Sequence, residues 1–394
     1  MLSVLLYYFP FLGSLGRGAK GRPKPGCLVA VAVAVAVAAA WAPPAKRGAG
    51  RRRRGFQWNR KGDRRRHPAG AANCFDAVRG VLAIKYAERG AYLILCARRR
   101  AQLEEAALAC QEASLANGFA GRTPSVVTVD VTSIRDVRKL AQHVRVNSDF
   151  AGAIDTLVLS SGVISVLPYA ELAGFGDSVC RWNRQEQNVE DDDGPLEKAA
   201  AADAAFAKVV DVNLFGPVRC ARELFPALAA VKGNIVVVSS LSGKIGVPTR
   251  SLYSSSKVRL RSDVFMDQSA ATPNPHLHHL PPPAQHALHG FFDSFRIEVA
   301  RHGVHVAIVC PSTVDTDLRA AAVDVASASE ASSNPVHGSQ RRKETPEGCA
   351  KVIVWSSDTR QREVYIPLSY TLLPVFRHFF PALLDRITAA RYGY

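Results

Sequence analysis

Tyr253 and Lys257 stand four residues apart in Tyr253-Ser254-Ser255-Ser256-Lys257, and Ser240 precedes the tyrosine by thirteen. In a helix that spacing puts the phenol and the ammonium on one face. A phenol titrates near about 10, too high for proton exchange at neutral pH. A neighbouring ammonium favours the phenolate and lowers that value, which suits general acid–base work. Ser240 closes Asn234-Ile235-Val236-Val237-Val238-Ser239-Ser240, which reads as a buried strand delivering a hydroxyl at its carboxyl end. A hydroxyl there can hydrogen-bond a carbonyl oxygen while the tyrosine protonates it. A Y-x-x-x-K string alone arises often by chance. A strand, Ser-Ser, Gly243 and then that string is far more specific.

These side chains need a scaffold, and the chain supplies alternating elements. The pattern predicts helices over Val81–Glu88, Gln102–Asn117 and Ile134–Val146. It predicts strands over Tyr92–Cys96, Pro124–Val129, Asp155–Leu159 and His305–Cys310. Strands and helices alternating at this spacing predict an α/β class with a doubly wound parallel sheet. Directly after Tyr92–Cys96 come Ala97-Arg98-Arg99-Arg100. An acidic residue there would take the ribose 2′-hydroxyl of NAD, whereas arginine pairs with the 2′-phosphate of NADP.

At these residues the chain resembles the short-chain dehydrogenase/reductase family, over roughly residues 81–319. The resemblance implies a Rossmann-type sheet and hydride transfer between a nicotinamide cofactor, here NADP(H), and a carbonyl or alcohol. It assigns catalysis to Asn213, Ser240, Tyr253 and Lys257. Asn213 lies in Val210-Asp211-Val212-Asn213-Leu214-Phe215-Gly216, similar to the family segment whose asparagine holds a relay water. For the cofactor it implies Arg98 and Arg99, Asp130 and Val131 beside the adenine, and Gly162 in Ser160-Ser161-Gly162. Tyr253 and Lys257 would meet the nicotinamide ribose. Pro311, Val314 and Thr316 lie in Cys310-Pro311-Ser312-Thr313-Val314-Asp315-Thr316, which looks like the Pro-Gly segment beside the nicotinamide with Ser312 replacing the glycine.

Two departures stand out. The family opens with a strand and a glycine-rich loop whose backbone approaches the pyrophosphate. The corresponding positions hold Ala72-Asn73-Cys74-Phe75-Asp76-Ala77-Val78-Arg79, without glycine, and no convincing first strand precedes them. First strand and loop therefore read as degraded. The second departure is Val258–Gln285, rich in proline and histidine. Joining Lys257 to His286 restores one amphipathic helix, and the flanking codons fit splice-site consensus, so this segment reads as a retained in-frame intron. Both departures support the alternative of a non-catalytic protein, or a defective gene model, that keeps the fold without the cofactor.

Net charge is +16, but residues 1–70 carry +14 of it, so the remaining chain is close to neutral. No nucleic-acid partner is expected. The domain reading is a basic leader over 1–70, a Rossmann body over 71–330 with inserts 174–202 and 258–285, and an apolar extension over 331–394. Cys27–Ala42 is marginal for a membrane anchor, since spanning takes about 20 apolar residues. The apolar tail resembles the membrane-associated, member 7-like branch of the family. A membrane-associated location, the endoplasmic reticulum, is expected, with a mitochondrial or plastid address from the Arg-rich leader as the alternative. The expected substrate is a small lipophilic carbonyl or alcohol, with a homodimer left open. Scattered cysteines without C-x-x-C spacing predict no metal site.

Overall fold

In the computed structural model the described residues are 29–33, 77–173, 194–256, 287–316, 318, 322–324 and 343–392. Their elements, in chain order, begin with β1 (Val29–Val33), α1 (Ala77–Ala87), β2 (Tyr92–Ala97), α2 (Arg100–Ala116), β3 (Ser125–Thr128), α3 (Ile134–Val146) and β4 (Thr156–Leu159). Then follow α4 (Gly194–Val210), a π-helical turn (Asp211–Phe215), α5 (Gly216–Val231), β5 (Asn234–Val238) and α6 (Ser251–Ser256). The chain closes with α7 (Ala287–Val299), β6 (His305–Pro311), α8 (Pro346–Asp358), β7 (Glu363–Ile366), α9 (Leu373–Phe379) and α10 (Pro381–Tyr392).

The seven strands form one parallel sheet in the order β3-β2-β1-β4-β5-β6-β7. A parallel sheet flanked by helices is buried on both faces, so its strands are continuous apolar runs. Tyr92–Ala97 and His305–Pro311 are of this kind, with Leu93 to Cys96 and Val306 to Cys310 fully buried. Helices α1 and α8 pack together on one side, and α3 and α5 on the other. Ser133 starts α3 by accepting from the N–H of Asp136, and Thr345 starts α8 by accepting from Gly348.

The doubly wound class is as expected, but the first strand requires correction. It is not lost: Val29–Val33 supplies it, from within the segment read as leader and candidate membrane anchor. Val31 pairs with Ile94 on one side and with Leu157 on the other. β-branched residues suit a strand, and pairing with strands on both sides satisfies backbone groups that a lone anchor would need a helix to satisfy. No helix among the described residues is long and apolar enough to cross a membrane. The glycine-poor stretch Ala72–Asp76 lies outside the described residues, while Ala77, Val78 and Arg79 begin α1.

Two boundaries also move. Residues 194–202, read as the end of an acidic surface insert, form the start of α4, where Pro195 near the helix start and the alanine run favour helix. The expected extension beyond residue 330 supplies β7 and α8, with Ile353, Val364 and Ile366 in the core, so it completes the sheet rather than standing apart. Val258–Gln285 and residues 174–193 lie outside the described residues.

Because β1 is paired on both sides, proline at Val31 removes a ladder donor from the middle of the sheet. Val31→Pro is expected to lower the unfolding free energy by about 3 kcal/mol or more, read from urea denaturation. A substitution without effect would show that β1 does not carry the sheet.

Candidate active site

In a doubly wound sheet the ligand crevice opens where neighbouring strands send their connections to opposite sides, at the carboxyl ends. Here that point lies between β1 and β4. A cavity of about 240 Å³ opens beside it, lined by residues that include Ser240, Tyr253, Gly162, Pro311, Val314 and Thr316. The structure thus gathers six of the sequence-predicted residues on one wall. Ligand sites usually measure about 300–1,000 Å³, so this volume suits the reacting ends of two molecules rather than a whole dinucleotide.

Ser240 follows β5 and starts a short turn, its Oγ accepting from the Ser242 N–H at 3.2 Å. As an acceptor there, it keeps its own proton to donate. Tyr253 sits half-buried in α6. Lys257 lies one residue past the end of that helix and outside the described residues.

Asn213 is fully buried in the π-helical turn. Its Oδ1 accepts from the Val163 N–H at 2.8 Å, and its Nδ2 donates to the Val163 carbonyl at 2.9 Å. The amide therefore pins the loop after β4 beside Gly162. Gly216 ends the same turn, and a Cβ there would come within 2.7 Å of Val131 Cγ2, so glycine is what lets this turn seat against the loop after β3.

Toward the adenine end, Arg98 and Arg99 are exposed just past β2. Asp130 turns inward on its own loop, Oδ1 accepting from the Thr132 N–H at 2.9 Å and the Thr132 hydroxyl at 2.7 Å. Neither the arginines nor Asp130 and Val131 line the cavity. The segment Thr313–Asp315 is fixed against residues 343–344: Glu344 N–H donates to the Thr313 carbonyl, Asp315 N–H to the Glu344 carbonyl, and Lys343 pairs with Asp315 at 2.7 Å.

Several residues were not foreseen. Arg250 is buried, yet its Nη1 donates to the carbonyls of Ser165 (3.4 Å), Val166 (3.2 Å) and Thr249 (3.0 Å). Its own carbonyl accepts from Ser254 at 2.6 Å, so the same residue anchors the helix that carries Tyr253. Thr249 beside it is held at φ +63°, a left-handed conformation that a β-branched residue adopts only when its surroundings enforce it. On the far side of the same loop, Asp324 accepts from the Ser165 hydroxyl (2.7 Å) and from the N–H groups of Val166 and Leu167 (2.8 Å each). Arg250 and Asp324 thus grip one loop through opposite sets of backbone groups. Such residues leave no periodic or motif signal in a sequence. Arg79 from α1 and Thr388, Arg391 and Tyr392 from α10 also line the cavity.

A parallel sheet of this order, with Ser240 and Tyr253 lining one cavity at its carboxyl edge, defines a doubly wound α/β fold. Residues 191–271 match the short chain dehydrogenase family model. Dehydrogenase/reductase SDR family member 7B of Xenopus laevis is 24% identical over 306 residues, covering 77% of this chain and 74% of the relative. Its Xenopus tropicalis counterpart is 30% identical over 187 residues, 46% of this chain and 50% of that protein. A short chain dehydrogenase from Burkholderia cenocepacia J2315, solved in complex with NADP, shares the fold at a TM-score of 0.50 and 16% identity, covering 79% of this chain and 93% of that one. The chain is thus similar to short-chain dehydrogenase/reductase proteins, over residues 191–271 by the family model and over most of its length at low identity.

Replacing Asp324 by alanine strands the buried N–H groups it receives. Asp324→Ala is expected to lower stability by about 1–3 kcal/mol in chemical denaturation, with Asp324→Asn closer to the parent. An alanine variant as stable as the parent would remove Asp324 from this grip.

Proposed function

We propose that the chain interconverts a carbonyl and an alcohol with NADP(H), on a small lipophilic substrate. The observation that carries this reading is the convergence of Ser240 and Tyr253 on one cavity at the carboxyl edge of the sheet, beside Pro311–Thr316. The cofactor supplies the hydride. The chain's own residues supply position and the proton. Ser240 Oγ donates to the carbonyl oxygen and orients it. Tyr253 Oη then delivers a proton to that oxygen as negative charge builds there. Lys257, placed by the family motif, lowers the tyrosine pKa and binds the ribose. Since the Asn213 amide is committed to Val163, its part in proton relay falls to its backbone carbonyl, which a π-helical turn can direct away from the helix ladder.

Residues at the crevice suit NADP(H). Arg98 and Arg99 give two exposed guanidinium groups at the carboxyl end of β2, the strand beside β1, matched to a 2′-phosphate. The NADP bound by the Burkholderia protein agrees with this choice. A lipophilic substrate is supported by the outer face of the C-terminal helices, where Leu372, Phe379, Phe380, Leu383 and Ile387 are exposed while Thr388, Arg391 and Tyr392 of the same segment line the cavity. An apolar face beside the cavity also suits a membrane surface such as that of the endoplasmic reticulum.

Tyr253→Phe keeps the ring and removes the proton donor. We expect it to lower the turnover number for NADPH-dependent carbonyl reduction by at least a hundredfold, and a variant that keeps full activity would overturn the assignment.

Charge-assisted contacts to phosphate are worth about 1.5–3 kcal/mol each. NADPH should therefore bind at least tenfold tighter than NADH in fluorescence titration, and Arg98→Ala/Arg99→Ala should erase the difference. Equal affinities in the parent would rule out this role for the arginines. No binding of either cofactor would replace the enzyme by a non-catalytic protein with the same fold.

A further inference from the structure

Behind the cavity wall, three elements bring a histidine, a cysteine and a glutamate together. His289 lies in the first turn of α7, Cys310 near the end of β6 and Glu363 at the start of β7. The sheet register sets two of them side by side, because Ile308 pairs with Glu363 and Cys310 with Tyr365. The ligand atoms of His289, Cys310 and Glu363 all lie within 4.8 Å of one another, and the histidine and cysteine are buried. His289 Nε2 is 4.0 Å from Cys310 Sγ and 2.8 Å from the Ser239 hydroxyl.

We propose that His289, Cys310 and Glu363 form a binding site for a divalent metal ion of the zinc class. One nitrogen, one sulfur and one carboxylate oxygen are the mixture that zinc accepts, and a three-ligand set leaves a fourth position for water. Tetrahedral bonds of about 2.0–2.3 Å put ligand atoms roughly 3.3–3.8 Å apart, so closure needs side-chain shifts of about 1 Å. The carboxylate of the site already pairs with a cation, which a bound ion must displace. Lys244 Nζ lies 3.0 Å from Glu363, and the Tyr365 hydroxyl donates to the same carboxylate. That hydroxyl can orient the carboxylate as outer partners of metal ligands do.

The other cysteines show the contrast. Cys110 and Cys220 are buried thiols pushed up to about 12 by burial, whereas Cys310 faces His289. As the ion binds, the Cys310 thiol gives its proton to solvent and a sulfur–metal bond forms, Lys244 leaves the carboxylate, and His289 Nε2 turns from the Ser239 hydroxyl to the ion. No electron is transferred. The serine released is the neighbour of Ser240, so occupancy is felt at the edge of the cavity.

Cobalt(II), a spectroscopic substitute for zinc, tests the site in the metal-free full-length protein. Titration is expected to produce thiolate-to-cobalt charge-transfer absorption saturating at about one ion per chain. Zinc should abolish the band on competition, and magnesium should not. Cys310→Ser, nearly isosteric, should lose the band while keeping the parent's circular dichroism spectrum and melting temperature. Glu363→Gln should keep the band and weaken affinity at least tenfold. The absence of a thiolate band in the parent, its survival in Cys310→Ser, or displacement by magnesium as readily as by zinc would each overturn the proposal. The readout does not depend on carbonyl reduction.

Discussion

A parallel sheet leaves no backbone group inside it unpaired, and here that demand falls on β1. Strands β2 and β4 both present hydrogen-bonding edges toward the centre of the molecule, and Val29–Val33 satisfies them together. Without it, each would be a buried edge, and burying unpaired peptide groups costs more than most packing defects. The crevice depends on the same strand, since the switch point exists only because β1 and β4 lie side by side. Short alternating valines and alanines from the N-terminal segment therefore fix both the sheet and the place where chemistry can occur.

Much of this was legible in the sequence. β2, β4, β5 and β6 are continuous apolar runs that end in turn residues, and the amphipathic helix Ile134–Val146 has the bounds its periodicity predicts. Ser240 and Tyr253 were readable because a strand-end serine and a helical tyrosine at this separation form a motif. β1 was not. Its valine–alanine alternation is equally compatible with low complexity, and the 43 residues from Ala34 to Asp76 separate it from the helix that follows. Arg250 and Asp324 were hidden because they act through backbone groups of residues 164–167, and only tertiary structure assembles those. His289 looked like one of several histidines around a low-complexity segment until the sheet set it beside Cys310 and Glu363.

Around the cavity, polar side chains are used as fasteners as much as reagents. Asn213 holds Val163, Arg250 holds Ser165 and Val166, and Asp324 holds the same loop from the opposite side. Each of these three side chains meets its partners through charge-assisted or bidentate contacts, the form in which burying polarity adds rigidity. Ser240 and Tyr253 thereby occupy a rim whose supporting loop has little freedom to shift. Chemistry that needs a proton delivered to one oxygen requires that immobility.

The position of β1 in the chain also sets a timetable for biosynthesis. Val29–Val33 leaves the ribosome first, yet its partners are residues 92–97 and 156–159. About 60 and then about 125 further residues must be made before both flanks exist, which at roughly 5–20 residues per second takes on the order of 3–12 and then 6–25 seconds. Until β2 is made an apolar β-former has both edges open, and until β4 is made one edge stays open, a state prone to pairing with other chains. The strand that organises the finished molecule is thus the one that waits longest for its partners while the molecule is being made.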